Sequence, residues 1–520
     1  MDSISLSTIG FSALAVIGVI YTLGFSDRRR PPGPRGLPLL GNLLDIPGKH
    51  LATYFRQLCE EYGGLVSLNF AGFRIILVGN MTLARELLEK RSAKFSSRPI
   101  VPYALCYDPE QIYWTSVTGR NHFLGRKLTA GIMAGVRAGD TELLQQLEAL
   151  ICTTRLLDGG GKDWMREMER TSASMILSAT FGLHCPTGDE PELKEVLDCV
   201  TELVQLASPS GSIINALPFL DMIPGPMPWR KRATAFRQRE DALYDRLVTR
   251  AVSGEAAGMN TWAAEFASQD KPEGDQRKLL NTMSSAGIET TATSLQTFVL
   301  ACLLFPQWIA RAQKEIDAVI GKDRIPTFKD RPQLPYVEAV VRETLRWRPA
   351  VRFGLPHECT ADDVVKYQGK EYLIHKDSIV FAVTWAIEHD KTHEDADDFS
   401  PGRFLDEKGQ LRPGYESSAF GFGRRVCPGQ PFAERSLWIN IAMMLWTFDI
   451  RKSTEVDVQT GMPFEYGCQD AQFSGALTNP PLEFPAVFHP RSAHHAEVVR
   501  QEWVNCEKDL NVLLPQRKGR

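Results

Sequence analysis

Phe420-Gly421-Phe422-Gly423-Arg424-Arg425-Val426-Cys427-Pro428-Gly429 puts three glycines, two arginines and one cysteine into ten residues. A helical pattern, Ala433 to Phe448, begins almost directly after it. Glycines at 421, 423 and 429 allow positive φ and close approach of a flat ligand to the backbone. A thiol just before a helix N-terminus meets backbone amides and the positive end of the helix dipole, and both favour thiolate. A Cys-Pro-Gly turn on its own is more often a buried cysteine at a turn.

Thiolate is one of the few protein ligands for haem iron, and it pushes electron density onto the metal. The whole string resembles the haem-binding signature of the cytochrome P-450 family, F-x-x-G-x-R-x-C-x-G, at Phe420, Gly423, Arg425, Cys427 and Gly429. The resemblance implies that Cys427 is the axial ligand of a haem b iron and that Arg425 pairs with a propionate. Phe420 would pack beside the thiolate and limit water.

Three further segments match the same family in order. Glu343-Thr344-Leu345-Arg346 has a carboxylate and a guanidinium three residues apart, on one side of a helix. A lone pair of this kind is usually a solvated surface pair. Phe399-Ser400-Pro401-Gly402-Arg403-Phe404 is similar to the family's F-x-P-x-R-F segment. The resemblance makes Glu343, Arg346 and Arg403 a buried structural triad. Ala286-Gly287-Ile288-Glu289-Thr290-Thr291 lies inside a long apolar helical pattern, where Gly, Glu and two threonines suit a packing stripe poorly. Such a threonine can bond back to a carbonyl one turn earlier and open the helix locally. By resemblance Glu289 and Thr290 are the acid and alcohol that relay protons toward dioxygen, a task that needs carboxyl and hydroxyl within hydrogen-bond reach.

Two places depart from the family. Membrane-bound relatives often read W-R-x-x-R where this chain has His122-Phe123-Leu124-Gly125-Arg126. His122 and Arg126 still share a helix face and become candidate propionate partners, although His122 also reads as a surface histidine. In Pro349-Ala350-Val351-Arg352-Phe353-Gly354-Leu355-Pro356-His357, Arg352 replaces a usually apolar cavity residue. It would face a polar or acidic substrate group, a propionate or an access channel. His357 stands where the family often places a propionate donor. Ala286, Phe353 and Phe473, with the loop Pro99 to Thr118 that carries Tyr103 and Tyr113, are the substrate-pocket candidates by the same resemblance.

The rest of the chain sets the frame. It has 520 residues, 43% hydrophobic and 23% charged, with a formal net charge of -4, which excludes a disordered, collagen-like or strongly basic nucleic-acid-binding protein. Its ten cysteines contain no CxxC pair, so they carry neither a zinc signature nor a disulfide scaffold. Residues 4–25 are mostly apolar and about the length that spans a ~30 Å hydrocarbon core. Arg28, Arg29 and Arg30 follow, which places the remainder on the cytosolic side. A cleaved signal peptide is the alternative, but no basic residue precedes the run.

The expected domain plan is an anchor at 4–25, a basic and proline-rich linker at 26–36, one domain at 37–491 and a polar extension at 492–520. Helical periodicity runs over Thr82 to Lys90, Thr141 to Leu157, Trp164 to Phe181, Lys231 to Val252, Gln276 to Leu304, Trp308 to Ile320 and Tyr336 to Trp347. Short strands are expected at Leu65 to Leu68, Arg74 to Val78 and Ser378 to Val383. The fold class is mainly α with a minor β part, and the resemblance makes it the P-450 fold with one N-terminal transmembrane helix.

The resemblance implies an endoplasmic-reticulum monooxygenase that hydroxylates or epoxidises a small hydrophobic molecule, of the kind found in fungal secondary metabolism. NADPH and flavins would act only through a separate NADPH-cytochrome reductase, since no G-x-G-x-x-G segment is present. Arg126, Lys127, Arg424 and Arg435 are candidate docking cations. The rival readings are a haem-thiolate isomerase or dehydratase and a non-catalytic haem sensor.

Overall fold

The structure is a computed structural model that describes residues 29–38, 40–99, 102–108, 118–207, 212–216, 218–268, 276–390, 395–456 and 461–514. The expected anchor at 4–25, the start of the linker and Tyr113 lie outside the described residues. The chain divides into two compact units.

The first unit takes the chain up to Pro99, then Phe353–Glu394 and Gly421–Val426. Helix α1 (Leu51–Tyr62) buries Ala52, Phe55, Leu58 and Cys59 along one stripe. Strands β1 (Leu65–Phe70) and β2 (Phe73–Val78) form an antiparallel hairpin with Leu65 opposite Val78. Strand β3 (His357–Glu358) and the hairpin β4 (Asp363–Tyr367) and β5 (Lys370–Ile374) follow, then β6 (Ile379–Ala382). The four-stranded sheet has the order β1-β2-β6-β3, with β2 and β6 parallel. Leu65, Ile76, Val78, Leu87, Leu88, Phe95 and Val380 make its core, and Phe422 is buried among them. That aromatic helps dock the tract 421–426 on this unit.

The second unit is helical. It comprises α2 (Gly119–Ala138), α3 (Glu142–Gly159), α4 (Trp164–Phe181), α5 (Pro191–Ala207), α6 (Pro228–Val252) and α7 (Gln276–Leu304). It continues with α8 (Ile309–Val319), α9 (Pro335–Trp347), α10 (Gln430–Thr447), the antiparallel pair β7 (Phe448–Lys452) and β8 (Ala486–Pro490), and α11 (Ala493–Asn505). Helix α7 is its axis: Leu295, Phe298, Val299 and Ala301 are fully enclosed. By length and apolarity α7 could cross a membrane, but 78% of its apolar window is buried, so it is a core helix. A helix apolar all round belongs inside a large core.

Sequence periodicity matches α4 and α7 residue for residue. It passes over α1 and α5. The expected helix Thr82 to Lys90 is instead a short α segment, Met81–Arg85, running into a π turn, Glu86–Lys90, closed by Arg91 N donating to Glu86 O at 3.1 Å. In the polar C-terminal stretch α11 is a packed helix, with Val498 and Val499 buried.

Candidate active site

Cys427 belongs to the second unit, three residues before α10. Its amide donates to Phe420 O at 2.7 Å, which pinches the loop closed at its two ends. Part of the cysteine surface is accessible, yet protein surrounds it closely enough for desolvation to push its thiol above the ordinary range. The amides of Gly429 and Gln430 and the charge of Arg126 pull the other way, while Glu434 adds to the rise. The expected pull toward thiolate is therefore present but outweighed by burial. A thiolate here needs a cation at the sulfur, which a metal supplies. The donor set fits a haem iron in that sense.

Gly423 explains one fixed position of the string. Its φ is +56° and an added Cβ would lie 2.1 Å from Leu88 O, a backbone atom that cannot step aside. Gly429 does not use the positive φ open to it. Its φ is -77°, and an added Cβ would meet only Cys427 Sγ at 3.8 Å.

In the first unit Arg98, His357 and Arg425 form a basic cluster. Arg425 Nε donates to Ser96 O at 2.9 Å, and Arg425 is 7% exposed. Arg98 Nη1 donates to Leu355 O at 3.1 Å and to Pro356 O, whereas its buried Nε has no hydrogen-bond partner among the described residues. Burial and the neighbouring Arg425 charge lower Arg98 to about 9. Burial first, then Arg98, and more weakly Arg425, hold His357 down at about 3, against the upward pull of the Phe95 carbonyl. His357 Nδ1 lies 2.7 Å from that carbonyl and must donate to it, so Nε2 can donate only when the ring carries both protons. Two desolvated guanidiniums and a suppressed histidine call for an anion, and carboxylates such as the haem propionates fit. Arg98 is a member of this cluster that no sequence motif marks. Its signal is Phe95-Ser96-Ser97-Arg98-Pro99, which has no periodicity to expose it.

The triad is assembled in the second unit. Arg346 Nε and Nη2 donate to Glu343 Oε2 and Oε1 at 2.6 and 3.0 Å, and Arg403 Nε donates to Oε1 at 3.1 Å. Glu343 and Arg346 side chains are 0% exposed. The fourth donor to the carboxylate is Ser400 N at 2.7 Å. Arg346 continues to Ala396 O and Asp398 O, and Trp347 Nε1 to Asp397 O, so the cluster clamps residues 395–400 onto α9.

On α7, Thr290 Oγ1 donates to Ala286 O at 2.8 Å, as expected, but the helix stays continuous and does not open. Glu289 accepts from Thr478 Oγ1, a partner the sequence did not reveal because it lies 189 residues away in a loop. Burial raises the Glu289 carboxyl above the usual range, against the pull of Thr478 and with a smaller push from Glu169. Ala286 is exposed beside them.

The remaining candidates scatter. Arg126 is half-buried on α2, and burial lowers it against the opposing pull of Cys427. His122 is half-buried on the same helix, and Lys127 is exposed. Arg352 is 1% exposed and lies over the Phe473 ring, 4.0 Å from its centroid, as a cation–π pair. Phe353 packs against Phe55 and Phe381 in the first unit, as a core residue does. Arg435 is engaged with Glu142 and Arg137 O, while Arg424 is exposed.

The family model for cytochrome P450 matches residues 31–470. A cytochrome P450 monooxygenase of Armillaria gallica is 33% identical, over 94% of this chain and 96% of its own. Cytochrome P450 monooxygenase 58 of Postia placenta is 35% identical, over 88% of this chain and 90% of its own. The peniB monooxygenase of Penicillium patulum is 30% identical, over 96% of this chain and 92% of its own. With a mainly helical fold, a loop cysteine dressed by amides and a family match across most of its length, this chain belongs to the cytochrome P450 family, the haem-thiolate monooxygenases.

Proposed function

We propose that Cys427 is the axial thiolate of haem b, with Arg98, His357 and Arg425 receiving the propionates and Arg126 tempering the charge at sulfur. The observation that carries this is the Cys427 environment: two backbone amides and one guanidinium draw toward thiolate a sulfur whose burial still outweighs them until a metal cation binds. The haem supplies oxygen activation when bound. The protein's own part is to hold the thiolate dry, to clamp the segment 395–400 through Glu343, Arg346 and Arg403, and to deliver protons through Glu289 and Thr290. Thr478 fixes where the Glu289 carboxyl points.

The substrate is a small hydrophobic molecule, an intermediate of fungal secondary metabolism, which is hydroxylated or epoxidised. Electrons come from NADPH through a separate cytochrome reductase. Lys127 and Arg424 are the exposed docking cations; Arg126 and Arg435 are already engaged. Residues 4–25 anchor the chain in the endoplasmic reticulum membrane, with the catalytic part in the cytosol.

The test uses microsomes with reductase. Apolar small molecules are screened by the ferric spin-shift, and binders are turned over under 18O2. One 18O atom in the product, dependent on NADPH, is expected. Product that forms without NADPH and carries no label would overturn the reading in favour of an isomerase or dehydratase.

A further inference from the structure

The seam between α4 and α7 carries a second carboxyl behind Glu289. Two contacts fix how these helices lie on each other. Ser172 Oγ donates to Ile288 O at 2.6 Å and to Gly287 O at 3.2 Å, and Gln296 Nε2 donates to Met165 O at 3.4 Å. Gly287 permits this approach, since a Cβ there would sit 3.1 Å from Ile176. Glu169 lies between the two pins. It precedes Ser172 by three residues, so it shares that face of α4. Glu289 precedes Gln296 by seven, two turns along one face of α7.

Glu169 therefore addresses the seam in which Glu289 sits. The groups acting on its carboxylate are Gln296 across the seam and Arg166, one turn back on α4. Protein packed around the carboxyl raises it against both of these, although the residue stays exposed to solvent. The groups acting on Glu289 are Thr478 and Glu169. The two carboxyls differ in access: Glu169 is exposed, Glu289 is half-buried. An exposed acid on the same seam as a half-buried one has the order a proton path requires.

We propose that Glu169 is the solvent-side carboxyl of a two-acid proton relay, taking protons from water and passing them across the α4–α7 seam to Glu289. This deepens the reading of Glu289 as proton donor and rests on it. Each step moves one proton. Hydronium protonates the Glu169 carboxylate, water carries a proton on to Glu289, and water carries one from Glu289 to the Thr290 hydroxyl as that hydroxyl gives its own to dioxygen. Each carboxylate is restored by the next solvent proton. Monooxygenation consumes two protons and two electrons per dioxygen, and water forms alongside the oxygenated product.

The experiment compares wild type, Glu169→Gln, Glu169→Asp and Glu289→Gln as reductase-reconstituted holoenzymes. NADPH consumption is measured in H2O and D2O without added substrate. Because water still reaches Glu289 in Glu169→Gln, its loss should lie below the full ~10²-fold of a general acid, at roughly 3–10-fold, with an enlarged solvent isotope effect. Glu169→Asp should restore most of the rate. Infrared titration of the ferric holoprotein provides the second readout: the carboxyl band lost in Glu289→Gln should titrate at lower pH in Glu169→Gln, because a negative neighbour is gone. Wild-type rate, isotope effect and band in Glu169→Gln, with Glu289→Gln impaired, would overturn the relay and leave the Glu289 reading standing. An unimpaired Glu289→Gln would overturn both.

Discussion

Replacing Arg98 by methionine separates haem binding from folding. In the protein alone this guanidinium is a liability: burial and Arg425 lower it from 12.5 to about 9. At ~1.4 kcal/mol per tenfold, that is about 5 kcal/mol of unfavourable charging at neutral pH. Methionine removes the charge and keeps the apolar stem. It also removes the donors to Leu355 O and Pro356 O, at ~1.5–3 kcal/mol each for a charged hydrogen bond. The two effects nearly cancel, so apoprotein stability should move by no more than about 1–2 kcal/mol. Haem binding has no such compensation. Losing one partner of a buried charge pair costs ~3–5 kcal/mol, which weakens haem affinity by at least about a hundredfold. Thermal melts of apoprotein and haem transfer to apomyoglobin report the two quantities separately. A collapsed apoprotein with unchanged haem retention in the folded fraction would refute the reasoning.

Other expectations follow from the same geometry. Glu343→Gln should destabilise the chain by ~3–5 kcal/mol and strip its haem, seen as a lower melting temperature and lower haem content, because two guanidiniums and Ser400 N lose a carboxylate. Gly423→Ala should lower stability far more than Gly429→Ala, since only the first carries a positive φ and a collision with Leu88 O; paired melts decide it. Glu240 is 1% exposed on α6, and burial raises its carboxyl to about 8. Its folded value lies above its unfolded one, so the fold favours the protonated form, and stability should fall as pH rises from about 4.5 toward 8. Glu240→Gln should flatten that decline, raising stability at pH 8 by up to a few kcal/mol and leaving pH 4 unchanged, as denaturant titrations would show.

The legible parts of this protein are those whose cause is local. Helices α4 and α7 stand at their expected bounds because long apolar patterns report burial directly. The pairing of Glu343 with Arg346 is visible because three residues on a helix bring them together. Arg403 and the carbonyls of Ala396 and Asp398 complete the cluster only through tertiary folding. Thr478 and Arg98 were invisible for the same reason: one is a loop hydroxyl far along the chain from its partner, the other an arginine whose partners are backbone carbonyls. The expected thiolate preference of Cys427 was drawn from amides and dipole, and it omitted the desolvation that a sequence does not display. A glycine at 429 permits a positive φ, but its place at the start of α10 uses none.

Thiolate ligation by Cys427 decides the chemistry proposed for this chain. Its most direct test is the carbon monoxide difference spectrum of dithionite-reduced microsomes, for wild type beside Cys427→Ser. The wild type should show the red-shifted Soret band of a haem thiolate, and the variant should lose it. A band typical of histidine-ligated haem, unchanged by the substitution, would contradict it.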